Sequence, residues 1–430
     1  MQFGTDGIRG RAYDDVTAEV AFRLGIAVSS VFPDVTVFVG YDTRESSLEL
    51  CQGVLNGLRA GGSTAVNLGV IPTPGVAVIA QERSGAGIVI SASHNPYYDN
   101  GLKVLGVGGV KLDHETEERV QAAFDLAVAP VDVDSQTLAI DEEARQRYLE
   151  RLVAIVPQLD LRSLFIVVDC AHGAASDFAP KIFRQLGARV EVLCAAPTGR
   201  NINDDCGSTH PEKLARTVVE LGADFGVAFD GDADRLIAVD AMGEIRDGDD
   251  LMVLFATDRE RRGVLGGQLV VTSMSNLGLR RAMAEKSIAI IETDVGDRNV
   301  LMALEDRNLD FGGEQSGHLI FRDLAPTGDG LLTALLLSEL VAREGSLSAI
   351  TSALWRRMPQ RLINIPVEAY DESAVPAAWA NIQERFALSE SDVRIVVRPS
   401  GTEPVVRVMM EASQREYVDV FCEFVREACS

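Results

Sequence analysis

Three aspartates at alternating positions in the segment DGDADR are the residues best suited to binding a metal ion. Asp230, Asp232 and Asp234 directly follow an apolar stretch that predicts a buried strand. In an extended or curved loop this spacing turns the three carboxylates to one side, where they repel each other unless a cation neutralises them. Oxygen ligands suit Mg²⁺ or Ca²⁺, and an EF-hand is excluded because Arg235 replaces its invariant glycine. The loop therefore predicts a divalent-cation site with open positions, as phosphoryl transfer requires, and a solvated acidic turn is the alternative.

A serine follows another apolar run, in the segment SASHNPYYDNGLKV (91–104). The preceding strand can present the Ser93 hydroxyl at its carboxyl end, where ligands of α/β sheets bind. His94 comes next, but adjacent side chains of an extended segment point to opposite faces, so a simple Ser–His nucleophile–base pair is not expected. No GxSxG sequence occurs, which argues against an α/β-hydrolase. A turn with a capping serine and a buried histidine is the alternative interpretation of this segment.

The segment GGEQSGH (312–318) carries groups that suit a sugar. Its paired glycines let the backbone approach a ligand closely. Glu314 and Ser316 offer short polar groups for vicinal hydroxyls, and His318 titrates near neutrality, so it could move a proton or contact phosphate. A glycine-rich turn with a structural histidine is the alternative. The segment TDVGDR (293–298) is a lesser candidate, since a strand-end turn explains it equally well.

The segment RPSGTEPVVRV (398–408) suits a phosphate group. Guanidinium, hydroxyl and turn N–H groups form an anion-binding nest there, although a plain hairpin is the alternative. The nest residues are Arg398, Ser400, Gly401, Thr402 and Arg407. Elsewhere, Arg9 in FGTDGIRG and Lys103 could neutralise charge on a transferred phosphoryl group.

A pattern of strands and helices that repeats three times would position the first three loops. Each cycle reads strand, helix, strand, helix, strand and then a polar loop with glycine, which predicts parallel sheets buried on both faces. Polar loops that follow the third strand of each cycle would then converge on one cleft. The strands are predicted in 35–44, 63–70, 86–96, 165–173, 188–194, 224–235, 268–276, 287–298 and 309–318.

The end of the chain follows another pattern, typical of a smaller α+β unit. Strands are predicted in 361–369, 393–399 and 405–412, and helices in 375–386 and 414–428. The predicted fold class is therefore α/β, with three similar α/β domains of mainly parallel mixed sheets and a smaller C-terminal α+β domain. The predicted domains are 1–142 with the serine loop, 143–243 with the metal loop, 244–357 with the sugar loop and 358–430 with the phosphate nest.

Composition narrows the class of protein further. The 430 residues are 47% hydrophobic and 24% charged, which is ordinary for a globular chain. A net charge of −24 argues against nucleic acid and anionic membranes as partners, but local cations can still bind an anionic ligand. The most apolar stretch, 330–342, contains Glu339 and is too short to span a bilayer. Six cysteines without a CxxC pair indicate free thiols, so we expect a cytoplasmic protein.

Taken together and in this order, FGTDGIRG, SASHNP, DGDADR, GGEQSGH and RPSGTEP resemble the α-D-phosphohexomutase superfamily over essentially the whole chain. The resemblance implies four domains around a central cleft and a phosphoserine at Ser93. It also implies one Mg²⁺ per chain, held by the three aspartates and the Ser93 phosphate. By motif match, Glu314 and Ser316 would hold sugar hydroxyls, and the nest of Arg398, Ser400, Gly401, Thr402 and Arg407 would clamp the non-reacting phosphate. Arg9, His94, Lys103, Arg235 and His318 would line the reaction centre.

Within the superfamily, Gln315 in GGEQSGH resembles the bacterial branch that acts on glucosamine phosphates. This implies interconversion of glucosamine 6-phosphate and glucosamine 1-phosphate through a phosphoserine enzyme and a bound 1,6-bisphosphate, feeding UDP-N-acetylglucosamine synthesis. Glucosamine or glucose 1,6-bisphosphate would be the activator. A phosphomannomutase/phosphoglucomutase is the first alternative, and a non-catalytic sugar-phosphate-binding protein is a remote one. The sugar preference, the choice between His318 and Lys103 as general base, and the oligomeric state, with a homodimer as one option, stay open.

Overall fold

The computed structural model describes residues 7–129, 139–399 and 404–429. The chain forms two compact units, one of residues 1–273 and 291–351, the other of residues 274–290 and 352–430. The four domain ranges stay a prediction. No helix in the described ranges has both the length and the hydropathy needed to cross a membrane.

The first sheet contains the strands predicted in 35–44, 63–70 and 86–96. Its strands are β1 (Ile8–Arg11), β2 (Val37–Tyr41), β3 (Ala65–Val70), β4 (Ala86–Ile90) and β5 (Asp99–Leu105). Its helices are α1 (Ala18–Val31), α2 (Ser47–Ala60), α3 (Thr73–Glu82) and α4 (His114–Leu126). The strand order is β1-β5-β4-β2-β3, in which β2, β3 and β4 are parallel. Every residue of β2 and β4 is buried, as their continuous apolar sequences predict.

The second sheet repeats this arrangement. Its strands are β6 (Phe165–Asp169), β7 (Arg189–Leu193), β8 (Phe225–Phe229), β9 (Leu236–Asp240) and β10 (Ile245–Arg246). The helices of this region are α5 (Glu142–Ile155), α6 (Ala179–Gln185) and α7 (Glu212–Leu221). The strand order is β10-β9-β8-β6-β7, and β6, β7 and β8 are parallel.

The third sheet is smaller and carries the glycine-rich segment. The helices along this part of the chain are α8 (Gly248–Arg261), α9 (Leu277–Glu285), α10 (Asp297–Arg307), α11 (Gly330–Glu344) and α12 (Leu347–Leu354), of which α9 belongs to the second compact unit. The strands of the sheet are β11 (Gln268–Thr272), β12 (Ala289–Thr293), β13 (Phe311–Gly313) and β14 (Leu319–Phe321), in the order β12-β11-β13-β14.

The C-terminal region is an antiparallel sheet packed on two helices. The elements are β15 (Gln360–Pro366), α13 (Ala374–Phe386), β16 (Val393–Pro399), β17 (Val405–Ala412) and α14 (Arg415–Ala428). The sheet order is β15-β17-β16. Its core includes Ile363, Ile382, Val408 and Phe421. The predicted fold class, with three α/β sheets and a smaller α+β region, is confirmed.

The three sheets share a feature that places the polar loops. In each one, the third parallel strand of the cycle is followed by a strand that returns antiparallel to it: β4 by β5, β8 by β9 and β13 by β14. The serine, aspartate and glycine-rich loops are these three strand-to-strand connections. They therefore occupy equivalent positions, as the shared arrangement predicted from the repeat requires.

Candidate functional site

Ser93 lies in the loop after β4 and is 2% exposed. Its Oγ donates a hydrogen bond to Asp230 Oδ2 at 2.6 Å, and its N–H donates to Ser91 Oγ at 2.8 Å. The expectation that Ser93 and His94 point apart is wrong, because Ser93 has φ +52° and is not extended. Its Oγ consequently lies 3.4 Å from His94 Nδ1. The tight turn thus places one hydroxyl between a carboxylate and an imidazole.

The three predicted metal ligands form a buried cluster. Asp230, Asp232 and Asp234 are 0%, 1% and 7% exposed, and one carboxylate oxygen from each lies within 4.8 Å of the other two. Lys103 Nζ and Thr73 Oγ1 donate to Asp232 Oδ2 at 2.8 and 2.6 Å. Among the described residues, Asp232 Oδ1 and Asp234 Oδ1 have no hydrogen-bond partner. Two buried, unpartnered oxygens in an all-oxygen cluster fit a hard divalent cation.

The electrostatics of the cluster point the same way. Burial, together with the charges of Asp234 and Asp232, raises the pKa of Asp230 well above its ordinary value. Burial also acts to raise the pKa of Asp232, but the Lys103 ammonium outweighs it and the net shift is downward. Burial likewise acts to raise the pKa of Asp234, but the nearby positive charges, His318 first among them, outweigh it and hold this pKa well below its ordinary value. The chain's own cations thus stabilise the charged forms of Asp232 and Asp234, whereas burial and the neighbouring carboxylates disfavour the charged form of Asp230.

The glycine-rich loop contributes His318 to this cluster. Its Nδ1 lies 3.6 Å from Asp234 Oδ2 and its Nε2 lies 3.8 Å from Asp297 Oδ2. Asp297 also pairs with Lys111. The next residue, Arg298, contacts both carboxylate oxygens of Glu117 at 2.8 Å. The segment TDVGDR is therefore more than a strand-end turn, since Asp297 and Arg298 tie the third sheet's loops to the first region.

The predicted sugar ligands differ in exposure. Glu314 is 8% exposed, and its Oε1 accepts a hydrogen bond from Gly296 N at 2.9 Å. Ser316 is exposed at the tip of the loop. Gln315 Nε2 donates to Asp249 Oδ2 at 3.2 Å, at the start of α8. Glu314 is thus held in place by the backbone, whereas Ser316 is open to a ligand.

Two arginines add positive charge near the serine loop. Arg235 Nε lies 4.0 Å from Asp230 Oδ2 and 3.9 Å from Asp234 Oδ1. Arg9 lies on β1 opposite Gly101 in the sheet register. Burial, followed by Arg235 and Arg9, lowers the pKa of His94 to about 4. His94 is therefore a neutral imidazole at neutral pH.

Sequence reasoning missed Arg44, which holds the serine loop in place. The Arg44 side chain is fully buried against Asp42, with Nε to Oδ2 at 2.8 Å. Its terminal nitrogens donate to the backbone carbonyls of Ser93, Asn95, Pro96 and Asp99. The available signal was an acidic and a basic residue two positions apart, directly after the buried strand β2.

Asn203, on a long loop of the second region, was missed as well. Its Nδ2 donates to Ser93 O at 2.9 Å and Asn95 O at 3.1 Å. Gly231 lies beside it, and a Cβ there would be 2.6 Å from Ser93 O. The aspartate loop can therefore approach the serine loop this closely only with glycine at 231.

We expect Arg44→Lys to destabilise the protein strongly. A lysine keeps the charge but cannot donate to Asp42 and to the loop carbonyls together, so the free energy of unfolding should fall by about 2–5 kcal/mol, as for other broken buried pairs. The midpoint of urea unfolding measures this. Arg83→Lys is the matched control, because the Arg83 side chain is 37% exposed in its pair with Asp141 and should lose less than about 1 kcal/mol. Equal midpoints for both variants would contradict the assignment.

The predicted phosphate nest is described only in part. Arg398 and Arg407 are directly opposite each other on β16 and β17, and both are half-buried. Ser400, Gly401 and Thr402 lie outside the described residues. Two guanidinium groups on adjacent strands give this end of the sheet the charge that a phosphate requires.

Four family models match successive parts of the chain. They describe the alpha/beta/alpha domains I, II and III and the C-terminal domain of phosphoglucomutase/phosphomannomutase. The matched residues are 1–127, 146–243, 247–358 and 362–428.

Curated relatives match the chain over nearly its full length. A protein of Mycobacterium marinum named phosphoglucosamine mutase is 44% identical over 444 residues, covering 100% of this chain and 98% of the relative. One of Rhodococcus jostii with the same name is 44% identical over 428 residues, covering 96% of each. Among solved structures, a phosphoglucomutase/phosphomannomutase family protein from Burkholderia thailandensis is 27% identical with a TM-score of 0.82, covering 99% of this chain and 96% of that one.

Proposed function

The chain belongs to the phosphoglucomutase/phosphomannomutase family, and from this membership we propose that it interconverts glucosamine 6-phosphate and glucosamine 1-phosphate. The name phosphoglucosamine mutase, carried by relatives 44% identical over the full chain, supports this substrate. Gln315 in the glycine-rich loop supports it as well. The product would feed UDP-N-acetylglucosamine synthesis. The free cysteines support a cytoplasmic location, and a homodimer is part of the proposal.

One observation carries the proposal: the Ser93 hydroxyl lies 2.6 Å from a carboxylate of the buried aspartate cluster. An ordinary structural serine does not need three converging carboxylates beside it. A serine that carries a phosphoryl group does, because the same cation can then neutralise both the aspartates and the ester.

The all-oxygen cluster suits Mg²⁺, with one ion per chain held by Asp230, Asp232, Asp234 and the phosphate on Ser93. When bound, the ion offsets the negative charge that develops on the transferred phosphoryl group. The two unpartnered oxygens of Asp232 and Asp234 support this ligand set.

The transfer itself begins with a phosphate already on Ser93. Phospho-Ser93 donates its phosphoryl group to the anomeric hydroxyl of glucosamine 6-phosphate, giving a hexosamine 1,6-bisphosphate that stays bound and turns end over end. The Ser93 oxygen then recovers the other phosphoryl group, which leaves glucosamine 1-phosphate. Arg9, Lys103 and Arg235 stabilise the transferred charge, and His94 lies beside the reacting oxygen. Glucosamine or glucose 1,6-bisphosphate serves as the activator that restores the phosphoserine.

A base must accept the proton of the attacking hydroxyl. His318 and Lys103 are the two candidates, and they contact different carboxylates of the cluster, Asp234 and Asp232 respectively. His318 lies on the connection between β13 and β14, and Lys103 lies on strand β5, which follows the serine loop. Both contact the aspartate cluster, so either is placed to accept a proton beside it.

Recognition of the sugar must work in both orientations, because the substrate turns over between the two transfers. Glu314 and Ser316 would bind the hydroxyls that occupy equivalent places in either orientation. Arg398, Ser400, Gly401, Thr402 and Arg407 would hold the phosphate that is not reacting. The proposal assigns these roles to the domains 1–142, 143–243, 244–357 and 358–430.

We expect glucosamine phosphate to be the preferred substrate in a coupled assay with Mg²⁺ and a 1,6-bisphosphate. kcat/KM for glucosamine 1-phosphate should exceed that for glucose and mannose 1-phosphates by about 10-fold or more, the usual cost of a missing hydrogen bond to a polar group. A preference for the mannose or glucose phosphate would favour the phosphomannomutase/phosphoglucomutase alternative. Absence of turnover on all three, with sugar-phosphate binding retained, would favour the non-catalytic alternative.

A further inference from the structure

A second cluster of reactive side chains lies apart from the aspartates, beyond the carboxyl ends of β6 and β7. One side-chain atom each of His172, Cys194 and Cys206 lies within 4.8 Å of the other two. His172 and Cys194 both have positive φ, +50° and +49°, so the two strand ends turn sharply where they meet. Non-glycine residues in this conformation are costly and concentrate at functional sites.

The two cysteines differ in accessibility and in charge environment. Cys194 is half-buried, whereas Cys206 is 1% exposed. Lys213 Nζ lies 3.5 Å from Cys194 Sγ. Interaction with the neighbouring Cys206 thiol is the main cause of a lowered pKa at Cys194, and Lys213 lowers it further. The same interaction, with burial, raises the pKa of Cys206. The half-buried thiol next to an ammonium therefore lies beside a buried thiol that ionises less readily.

A transition-metal site is the competing interpretation, and His172 argues against it. Its Nδ1 accepts a hydrogen bond from the backbone N–H of Ala196 at 3.2 Å. The neutral imidazole then carries its proton on Nε2, so neither nitrogen offers a free lone pair to a metal. The Lys213 ammonium next to Cys194 also disfavours a divalent cation, while it stabilises a thiolate nucleophile.

We propose that Cys194 and Cys206 are a peroxide-sensitive pair that forms a reversible disulfide. In the first step the Cys194 thiolate attacks hydrogen peroxide, forming a sulfenic acid and releasing hydroxide, which takes a proton from Lys213 to give water. In the second step the Cys206 sulfur attacks the sulfenic sulfur. The S–S bond forms, and the displaced hydroxyl leaves with the Cys206 proton as water. Two sulfurs are oxidised by two electrons in total, and one peroxide is reduced to two waters.

The pair is connected to the serine loop through short hydrogen-bonded paths. Asn203, three residues before Cys206, donates to the carbonyls of Ser93 and Asn95. On the other side, Thr43 Oγ1 donates to His172 O at 2.6 Å. Disulfide formation must draw the two sulfurs together, so it displaces the segment that supports Ser93. This consequence rests on the proposed function, whereas the oxidation itself does not.

The test uses the full-length reduced protein, treated with hydrogen peroxide and then alkylated. Peptide mapping should find a linkage between Cys194 and Cys206, with a loss of about 2 Da for the two hydrogens removed, that dithiothreitol reverses. Cys194→Ser should abolish it, and this half-buried position tolerates the change. Lys213→Met should slow trapping of the sulfenic acid by dimedone. Cys51 is the internal control, because it is buried and burial raises its pKa to about 12. It should stay reduced in peroxide and react with the alkylating agent only once the protein is unfolded.

Two further measurements separate the outcomes. Turnover of the oxidised wild type should fall by about 5-fold or more, which is the lower range of coupling between sites. Reduction should restore it. Peroxide treatment should leave the turnover of Cys194→Ser unchanged. Oxidation confined to other cysteines, or a wild type that forms no linkage, would overturn the proposal. Stoichiometric zinc binding that requires Cys194 and His172 would overturn it in favour of a metal site. A reduced protein without mutase activity would refute the proposed function. Peptide mapping would still show whether Cys194 and Cys206 form a disulfide.

Discussion

Ser93→Ala should reduce turnover by at least roughly 10³-fold, as removal of a covalent nucleophile does in other enzymes. The reason is that, among the residues the structure describes, Ser93 is the one whose hydroxyl donates to an Asp230 carboxylate oxygen. Sugar-phosphate binding should persist, because the arginines and Glu314 are unchanged. The coupled assay measures the loss. Intact mass provides a second measurement, since wild type should contain a fraction about 80 Da heavier from one phosphate group and the variant should not.

Ser91→Ala is the matched control for this experiment. Ser91 lies two residues away in the same loop and is also buried, and its hydroxyl accepts a hydrogen bond from Ser93 N instead of contacting Asp230 among the described residues. We expect the turnover of this variant to fall by about 10-fold or less, because a single neutral hydrogen bond is removed. The variant should still contain the fraction that is heavier by one phosphate group. Full activity of Ser93→Ala, or an unchanged mass distribution in it, would end the phosphoserine proposal.

Removal of divalent cations should lower turnover by at least roughly 10²-fold, because the ion neutralises charge on the transferred group. Dialysis against EDTA followed by the coupled assay measures this, and Mg²⁺ should restore activity. Mg²⁺ should also raise the midpoint of thermal unfolding. At a concentration 100 times its Kd, binding should add about 2.7 kcal/mol to the free energy of unfolding. This second measurement does not depend on activity.

Asp230→Asn should separate stability from activity. Burial and two neighbouring carboxylates already disfavour the charged form of Asp230, as its raised pKa indicates. Without metal, the variant should therefore unfold at a higher temperature than the metal-free wild type, since like-charge repulsion is relieved. With Mg²⁺ it should gain less stability than wild type and remain poorly active. The exposed Asp14, changed to Asn, is the matched control and should alter neither property. A metal-free Asp230→Asn that is less stable than wild type would contradict the repulsion argument.

The architecture followed from the sequence because its signals are local and strong. Continuous apolar runs such as FIVVD and FGVAF allow little besides buried parallel strands, and the structure has them as β6 and β8. The alternating aspartates after FGVAF are recognisable for the same reason, since three carboxylates at this spacing after a buried strand repel each other unless a cation neutralises them. The folded chain brings the Ser93 hydroxyl within hydrogen-bonding distance of Asp230, although the two residues are 137 positions apart in the sequence.

Other parts of the site gave only weak signals or none. Arg44 and Asn203 resemble ordinary strand-end and loop residues until the folded chain places them against the carbonyl of Ser93. The backbone at Ser93 was misjudged as extended, because a single left-handed residue leaves no trace in apolar periodicity. Cys194 and Cys206 are 12 positions apart without a CxxC spacing and are predicted as separate free thiols, yet the loop after β7 folds back and brings them together.

The sequence by itself determined which groups are available and which strands must be buried, because hydrophobic burial and charge repulsion act through residue type and spacing. Tertiary structure decided which of those groups meet. Contacts such as Thr73 with Asp232, Arg298 with Glu117 and Lys213 with Cys194 depend on how separate chain segments pack. Packing of this kind is set by the shape of whole elements, and no short motif records it.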